Sequence, residues 1–483
     1  MAGETPLSDL TFLGRDSALA RYIGRPVNRF LAVEAAGGIL LLVATVAALV
    51  WVNSPAQGSY FDFWGASVDI AVGGVEVFAD PLGALVNDAL MALFFFVVGL
   101  EIKRELVTGQ LRNPRAAALP AIAAVGGMIV PALIYTGFNI GGDFADGWGI
   151  PVATDIAFAV GVVSLLGTRI PRALKLFLLT LAIVDDVLAI LVIAVFYTDN
   201  LAFGWLATAA GLLVLVQIMK RLRIWAIPAY VLVGAFVWWA TLKSGVEATI
   251  AGVSLGLMTP ARPLQTEDEA RRVAEWLRDK AEVFLVDVRW ANFNIVESRS
   301  VAERLETALH PFTAYVIIPL FALANAGVVL SNDVLRGAVS SRVTLGVAFG
   351  LVIGKTIGVT AFTLLAERLR IATRPRSMTR IHLLGLAIVA GIGFTVSIFV
   401  TTLAFEGDRE PIEAEVAAGE VFEVARDLPE GGEVAAGEEA ELARAADEAK
   451  IGILAASTVA AVVGLGVLAQ AAKRHGHADR EDR

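Results

Sequence analysis

The sequence predicts an all-α polytopic membrane protein of about twelve transmembrane helices with a short external β-hairpin. The first observation is composition: 57% of the 483 residues are hydrophobic, only 18% are charged, and the mean hydropathy is +0.69. Soluble domains are about 45–50% apolar and about 25% charged, so the excess is too large for one or two buried cores. The second observation is that apolar stretches near the roughly 18 residues needed to cross a bilayer recur along the chain.

Apolar windows between clusters of charged residues define the predicted spans. They lie at about 31–52, 83–101, 116–138, 148–167, 172–196, 201–219, 224–242, 246–260, 310–330, 343–366, 381–405 and 451–472. No cleavable signal peptide is expected, because the first residues are polar and carry Arg without an apolar segment. The absence of Cys excludes disulfides, iron–sulfur clusters and thiol catalysis.

Lys and Arg are concentrated in alternate connections between these spans. They occur before the first span and in the second–third, fourth–fifth, sixth–seventh and tenth–eleventh connections, whereas residues 53–82, 139–147 and 197–200 contain none. Positively charged connections stay on the cytoplasmic side of a membrane. Both termini are therefore predicted to be cytoplasmic, as a 1–30 tail and a 473–483 tail.

A transmembrane core at 31–405 is predicted to be followed by an acidic external loop at 406–450 and the last helix at 451–472. This loop has 15 Asp and Glu against four Lys and Arg, a net charge of −11, so the rest of the chain carries +2. The acidity of the chain therefore belongs to one loop and indicates nothing about a nucleic-acid partner. The Ala, Glu and Gly composition of the loop predicts a solvated, partly disordered segment.

Two other connections have their own predicted structure. The cytoplasmic loop at about 261–309 has helical periodicity over Asp268–Val288, which predicts an amphipathic helix on the membrane face. The external segment at about 66–78 has β-branched residues alternating around Gly73 and Gly74, which predicts a β-hairpin with a tight turn. An isolated hairpin is marginally stable, so pairing with a second copy makes it a predicted dimer contact.

Two adjacent acids, Asp185 and Asp186, lie in the middle of the long apolar stretch LLTLAIVDDVLAILVIAVF. A charge at the bilayer midplane costs at least about 2.5–3.5 kcal/mol, so this pair requires an explanation. Repulsion between the two carboxylates makes them titrate as a coupled pair, which can hold protons or release them to bind a hard cation through oxygen. The alternative is that neighbouring hydroxyl groups satisfy both acids, or that they line a water cavity without transport.

Asp155 and Lys355 are the other charged residues deep inside predicted spans. Asp155 lies in PVATDIAFAVG, where Pro151 interrupts a short span; it either lines a cavity in a broken helix or caps a half-helix, and the two are compatible. Lys355 either pairs with Asp185 or Asp186 or extends its side chain to the interface. Span eleven is also interrupted by glycines, and two interrupted spans in the two halves of a transporter indicate inverted repeats around a binding site.

The segments ALMALFFFVVGLEIKREL, PVATDIAFAVGVVSLLG, LAIVDDVLAILVIA, LHPFTAYVIIPLFALANAGV, GKTIGV and GIGFTVSIF together resemble the NhaA-type bacterial sodium/proton antiporters. The resemblance extends from about residue 28 to 405 and over the last span. It implies a twelve-helix fold in which spans four and eleven are broken and cross near the middle of the bacterial inner membrane. This family is a known example of inverted repeats with discontinuous helices.

The resemblance also implies roles for single residues in ion transport. Asp185 and Asp186 match the paired acids that bind Na⁺, Asp155 matches the acid of the broken helix with Thr154 before it, and Lys355 matches the essential lysine, proposed to pair with Asp185.

A second group of residues matches positions linked to the cytoplasmic funnel and pH sensing. Glu101 matches an acid in the funnel, Glu306 an acid associated with pH sensing and His310 a neighbouring histidine, while Asn87 and Asp88 fit the family pattern. The sequence departs from the family at Glu247, where many members have His. The longer loop before span nine and the acidic external loop are further departures.

The predicted function is electrogenic, pH-regulated exchange of Na⁺ or Li⁺ for protons, with no cofactor and no enzymatic activity. The alternative is a sodium-coupled organic-anion symporter of related fold, and a third possibility is a passive cation channel. No phosphate-binding GxxxxGK[ST] segment is present, which disfavours ATP-driven pumping. The expected partners are the transported ions, the lipid bilayer and a second copy of the chain.

Overall fold

A computed structural model describes residues 36–481 apart from 73–74, 199–200, 223, 225–226, 264, 281, 376 and 406–431. The predicted N-terminal tail and most of the acidic loop therefore lie outside the described residues.

The first half of the chain begins with α1 and a hairpin. The elements are α1 (Ala36–Val52), α2 (Gln57–Gly65), β1 (Ser67–Val72), β2 (Val75–Pro81), α3 (Leu82–Val107), α4 (Pro114–Asn139), a 3₁₀ segment (Ala145–Val152), α5 (Ile156–Ser164), α6 (Arg172–Phe196), α7 (Phe203–Arg221), α8 (Ile227–Leu242) and α9 (Thr249–Met258). Short 3₁₀ turns also occur at Gln110–Arg112 and Gly167–Arg169.

The second half contains two peripheral helices before the spans resume. The elements are α10 (Glu267–Asp279), α11 (Leu285–Val296), α12 (Val301–Asn325), α13 (Asn332–Ser340), α14 (Arg342–Arg368), α15 (Arg380–Val389), α16 (Phe394–Phe405) and α17 (Gly432–Glu481). Three π-helical turns lie inside the long helices, at Val86–Leu90, Thr313–Ile317 and Gly350–Gly354.

The all-α membrane fold is confirmed, because each predicted window contains an apolar helix. Among the described residues, eight helices are long and apolar enough to cross a membrane, or up to ten if each of two bent pairs is one span. The two remaining windows hold the shorter apolar helices α8 and α9. Span four is broken between the 3₁₀ segment and α5, and span eleven is broken between α15 and α16, which meet at 42°.

The β-hairpin is confirmed with different bounds. The strands β1 and β2 pair antiparallel from Ser67 opposite Pro81 to Val72 opposite Val75, with an irregularity after Ile70. The hairpin therefore extends beyond the predicted 66–78, and its two turn glycines lie outside the described residues.

The predicted amphipathic helix over Asp268–Val288 is instead two helices, α10 and α11, separated by a connection at 280–284. The Asp287 carboxylate explains the break, because it accepts the Phe284 backbone N–H at 3.0 Å and the Lys280 ammonium at 2.5 Å. A carboxylate that takes a free amide at a helix start favours a new helix at this position.

The boundary predicted at residue 451 is also displaced, since α17 begins at Gly432. An Ala- and Glu-rich segment has a high helix propensity. Its Ala445, Ala446 and Ala449 side chains are buried, and the Glu448 carboxylate accepts a 2.5 Å hydrogen bond from Ser341 Oγ at the start of α14. Residues 445–450 of the predicted external loop are therefore packed, as part of an extension of the last helix.

Candidate functional site at the crossing of the broken helices

The two broken spans are joined at their interruptions. The Asp155 backbone N–H donates to the Ile392 carbonyl at 2.7 Å, and Thr154 Oγ1 donates to the Ala390 carbonyl at 2.8 Å. A broken helix leaves carbonyls without partners in a medium that has no water to satisfy them. These bonds supply the missing partners, and they place the start of α5 against the break that precedes α16.

Asp155 lies between the first turns of two half-helices. Its Oδ1 accepts the Phe158 backbone N–H at 2.9 Å and thereby caps α5. Its Oδ2 accepts both the backbone N–H of Thr395 at 3.1 Å and the Thr395 hydroxyl at 2.6 Å. One carboxylate therefore faces the positive ends of α5 and α16 together, which stabilises both of them.

Lys355 is fully buried on α14 and points to the middle of α6. Its ammonium donates to Asp185 Oδ2 at 2.6 Å and to Thr154 Oγ1 at 3.0 Å. The lysine thus connects the paired acids with the break in span four. Snorkelling of this side chain to the interface is excluded by these contacts.

Two glycines bring α14 close enough to α4 for this geometry. A Cβ added at Gly358 would collide with the Gly126 carbonyl, and a Cβ at Gly126 would collide with the Gly358 carbonyl. Small residues allow such close backbone approach between membrane helices. Lys355, one turn before Gly358, is therefore held against α4.

Asp186 lies beside this ion pair but is not part of it. Among the described residues, neither Oδ1 of Asp185 nor Oδ1 of Asp186 has a hydrogen-bond partner, although both atoms are buried. The charges that act on Asp186 come from Asp185, Glu101 and Asp155, which repel it, and from Lys355, which attracts it. Unpaired carboxylate oxygens in a net negative environment fit a proton or a small cation.

Three of the residues predicted for the funnel and pH sensing, Glu101, Glu306 and His310, form a second group around Arg104. The Arg104 guanidinium donates to Glu306 Oε1 at 2.6 Å, while Glu306 Oε2 is buried without a partner among the described residues. The charges of Glu101 and His310 act on the same Glu306 carboxylate. The charge of Glu101 acts on Asp186 as well as on Glu306. Glu101 therefore links this group electrostatically to the paired acids.

Asp88 has a different environment from this group. It lies in the π-helical turn of α3, where its backbone carbonyl accepts the Trp238 indole N–H at 2.9 Å. The adjacent Asn87 exchanges amide hydrogen bonds with Asn325 of α12, at 2.8 and 3.3 Å. The structure therefore connects the Asn87–Asp88 turn to α8 and α12.

Sequence reasoning missed Thr395 and Asn325. Thr395 lies in GIGFTVSIF, whose glycines mark the helix break, and a hydroxyl two residues after that break is the signal that could identify it. No comparable signal identified Asn325, because a lone amide near a helix end is common. Its partner is 238 residues away in the sequence.

Comparison with known proteins identifies relatives of this chain. The family model described as Na⁺/H⁺ antiporter 1 matches residues 28–424. A Na⁺/H⁺ antiporter NhaA 3 from Frankia alni is 42% identical over 92% of this chain and 88% of its own length. The Na⁺/H⁺ antiporter NhaA of Rhodopirellula baltica is 41% identical over 92% and 93%, and that of an Escherichia coli strain is 45% identical over 80% and 91%.

Proposed function

Because the chain belongs to the Na⁺/H⁺ antiporter 1 family, we propose that it exchanges Na⁺ or Li⁺ for protons at Asp185 and Asp186. It is a multi-pass membrane protein and a transporter, not an enzyme. The observation that supports this site is the pair of buried Oδ1 atoms without partners. The alternative of organic-anion symport receives no support, since the names of these relatives all specify antiport.

Competition for the same oxygens provides the coupling. When Asp186 is ionised, its carboxylate and Oδ1 of Asp185, which has no partner among the described residues, offer oxygen ligands to a small cation, with Thr154 at the edge of the site. When the pair takes up protons, the negative charge that holds the cation is lost. A cation therefore leaves as protons bind, and protons leave as a cation binds.

The proposed exchange is electrogenic. Asp186 supplies one proton and the Asp185–Lys355 pair supplies a second one, through rearrangement of the 2.6 Å ion pair. Two protons exchanged for one monovalent cation move one net charge across the membrane in each cycle. The rate should therefore respond to the membrane potential.

The group around Arg104 is proposed to set the pH response. The charges of Glu101 and His310 both act on Glu306, and the charge of Glu101 also acts on Asp186. Protonation within this group therefore changes the field at Asp186. In the same proposal, Asp88 helps to hold the start of α3 against α8, through the bond that its backbone carbonyl accepts from the Trp238 indole.

The remaining proposals concern placement in the cell. The distribution of Lys and Arg supports cytoplasmic termini, and the bacterial relatives support a location in the plasma membrane. The two-stranded hairpin supports a homodimer, because an edge strand can extend its sheet with a second copy.

The proposal is tested in everted membrane vesicles with a dye that reports the proton gradient. Na⁺ and Li⁺ should each dissipate a preformed gradient, whereas K⁺ should not. Activity should rise at alkaline pH, because the carboxylates must lose protons before a cation binds. Substitutions E101Q, E306Q and H310Q should shift this pH profile more than they lower its maximum. Absence of any response to Na⁺ and Li⁺ in vesicles that contain the folded protein would contradict antiport.

A further inference from the structure

The helices α10 and α11, which connect α9 to α12, have opposite chemical character. The segment EDEARRVAEWLRD of α10 has eight charged residues among 13, whereas LVDVRWANFNIV of α11 has only Asp287 and Arg289. Both helices have mostly exposed side chains, but those of α10 are mainly charged and those of α11 are mainly apolar. This indicates that α10 faces a polar medium and α11 an apolar one.

The exposed surface of α11 and its preceding connection is apolar. We call this surface the apolar face; it consists of Phe284, Leu285, Val286, Trp290 and Phe293, which are between 50% and 74% exposed. Val286, Trp290 and Phe293 follow the i, i+4, i+7 spacing of one helix face. A contiguous exposed apolar surface of this kind, in a connection between spans, marks an interaction site.

The base of the two helices is tied to the membrane-spanning core. The Ala302 N–H donates to the Pro260 carbonyl at 3.0 Å, next to the ends of α12 and α9. Gln265, just before α10, donates its backbone N–H to the Glu297 carbonyl and its side-chain amide to Asn294. These bonds keep the apolar face beside the ends of two spans, where the nearest apolar medium is the bilayer itself.

The contacts between the two helices have the composition of a membrane interface. The Trp276 and Trp290 rings are 5.2 Å apart in an edge-to-face arrangement, and the Lys280 ammonium lies 4.8 Å from the Trp276 ring. Trp is enriched at the level of lipid headgroups, and a lysine stem can lie on apolar surface while its charge stays in water.

We propose that α11 and the connection before it lie in the boundary between lipid headgroups and acyl chains, with the apolar face towards the lipid and α10 towards water. The occupant is the bilayer that the protein spans, because the hydrogen bonds of Gln265 and Ala302 hold α11 beside the ends of α9 and α12. The salt bridge from Arg304 to Glu297, at 2.8 Å, joins the end of α11 to α12, the helix that carries Glu306.

The absence of Cys in the chain makes a direct test possible. Single-cysteine variants V286C and F293C, with R272C on α10 as the matched exposed control, are labelled with a nitroxide and reconstituted in vesicles of zwitterionic and anionic phospholipids. Collision with oxygen, which is concentrated in lipid, is compared with collision with a water-soluble nickel chelate.

Labels at positions 286 and 293 should favour oxygen, whereas the label at position 272 should favour the nickel chelate. Equal nickel access at all three positions would place the apolar face in water and overturn the proposal. Protection of positions 286 and 293 from both reagents would indicate that the apolar face contacts protein, which would also overturn the proposal. Distances between labels would then show whether the contacting protein is a second copy of this chain. Each variant is first checked for monodisperse purification, so that all three outcomes refer to folded protein.

Discussion

At the crossing of the two broken spans, the buried carboxylates differ in how many of their oxygens accept a hydrogen bond. Both oxygens of Asp155 accept bonds, from Phe158 and from Thr395. Asp185 has one oxygen on Lys355 and one without a partner among the described residues, and Asp186 likewise has an unpaired Oδ1. A buried acid with complete bonds stabilises the fold, whereas acids with incomplete bonds remain available to exchange ligands. In the proposed mechanism, this difference separates a structural carboxylate from the transporting pair.

The largest effect is expected at the incomplete pair. Replacement D186N should abolish Na⁺-dependent proton movement while the protein remains folded, because an amide neither exchanges this proton nor binds a cation well. D185N should reduce transport and leave residual activity. Everted vesicles report the exchange, and D62N, an exposed acid on α2, is the matched control. Normal exchange by D186N would remove the central assumption of the mechanism.

The lysine should contribute to both stability and rate. K355A leaves Asp185 without a cationic partner in the interior, and breaking a buried ion pair costs about 3–5 kcal/mol. The midpoint of thermal unfolding in detergent should fall, and the exchange rate should fall with it. The double variant D185N/K355Q removes both charges and should recover much of the lost stability. Equal stability of K355A and the native protein would show that the 2.6 Å ion pair is not maintained.

A smaller and purely structural effect is expected at Asp155. In D155N, the amide nitrogen would face either the Phe158 N–H or the Thr395 N–H, so two donors would oppose each other in both orientations. Leaving a buried hydrogen bond unmade costs about 1–3 kcal/mol. T395V, which removes only the hydroxyl, should lower the unfolding midpoint less. If D155N instead eliminates exchange at unchanged thermal stability, Asp155 belongs with the transporting acids and the comparison fails.

The smallest effect is expected outside the crossing. Replacement of residues 408–431 by a short Gly/Ser linker should leave coupled exchange intact and change apparent cation affinity slightly at low ionic strength, because salt screens charges beyond about 8 Å. Extension of the deletion to Asp447 should be more damaging than the composition suggested, since Ala445 and Ala446 are buried. Loss of coupling in the shorter deletion would make this segment part of the transport machinery.

E448A, which loses the bond from Ser341, should lower the unfolding midpoint relative to the exposed control E441A.

The sequence predicted the spans and the charged residues inside them, because both follow from solvation. A bilayer requires long apolar helices, and any charge within them is costly enough to be conspicuous. The same reasoning failed at the acidic segment, where composition indicated solvation but α17 begins at Gly432 and buries the side chains of Ala445, Ala446 and Ala449. It also failed at α10 and α11. The helical periodicity predicted one continuous helix, but the hydrogen bond from the Phe284 N–H to the Asp287 carboxylate starts a second one.

The sequence by itself determined which residues carry charge into the membrane and which spans are interrupted. From the residues alone Lys355 could pair with Asp185 or with Asp186, and only the tertiary structure decided which partners the buried charges contact. Lys355 reaches Asp185 over 170 positions, and Asp155 reaches Thr395 over 240, because the packing of α14 on α4 and the crossing of two breaks bring them together. Solvation acts on each residue separately and is visible in the chain, whereas the pairing of buried polar groups depends on how distant segments pack.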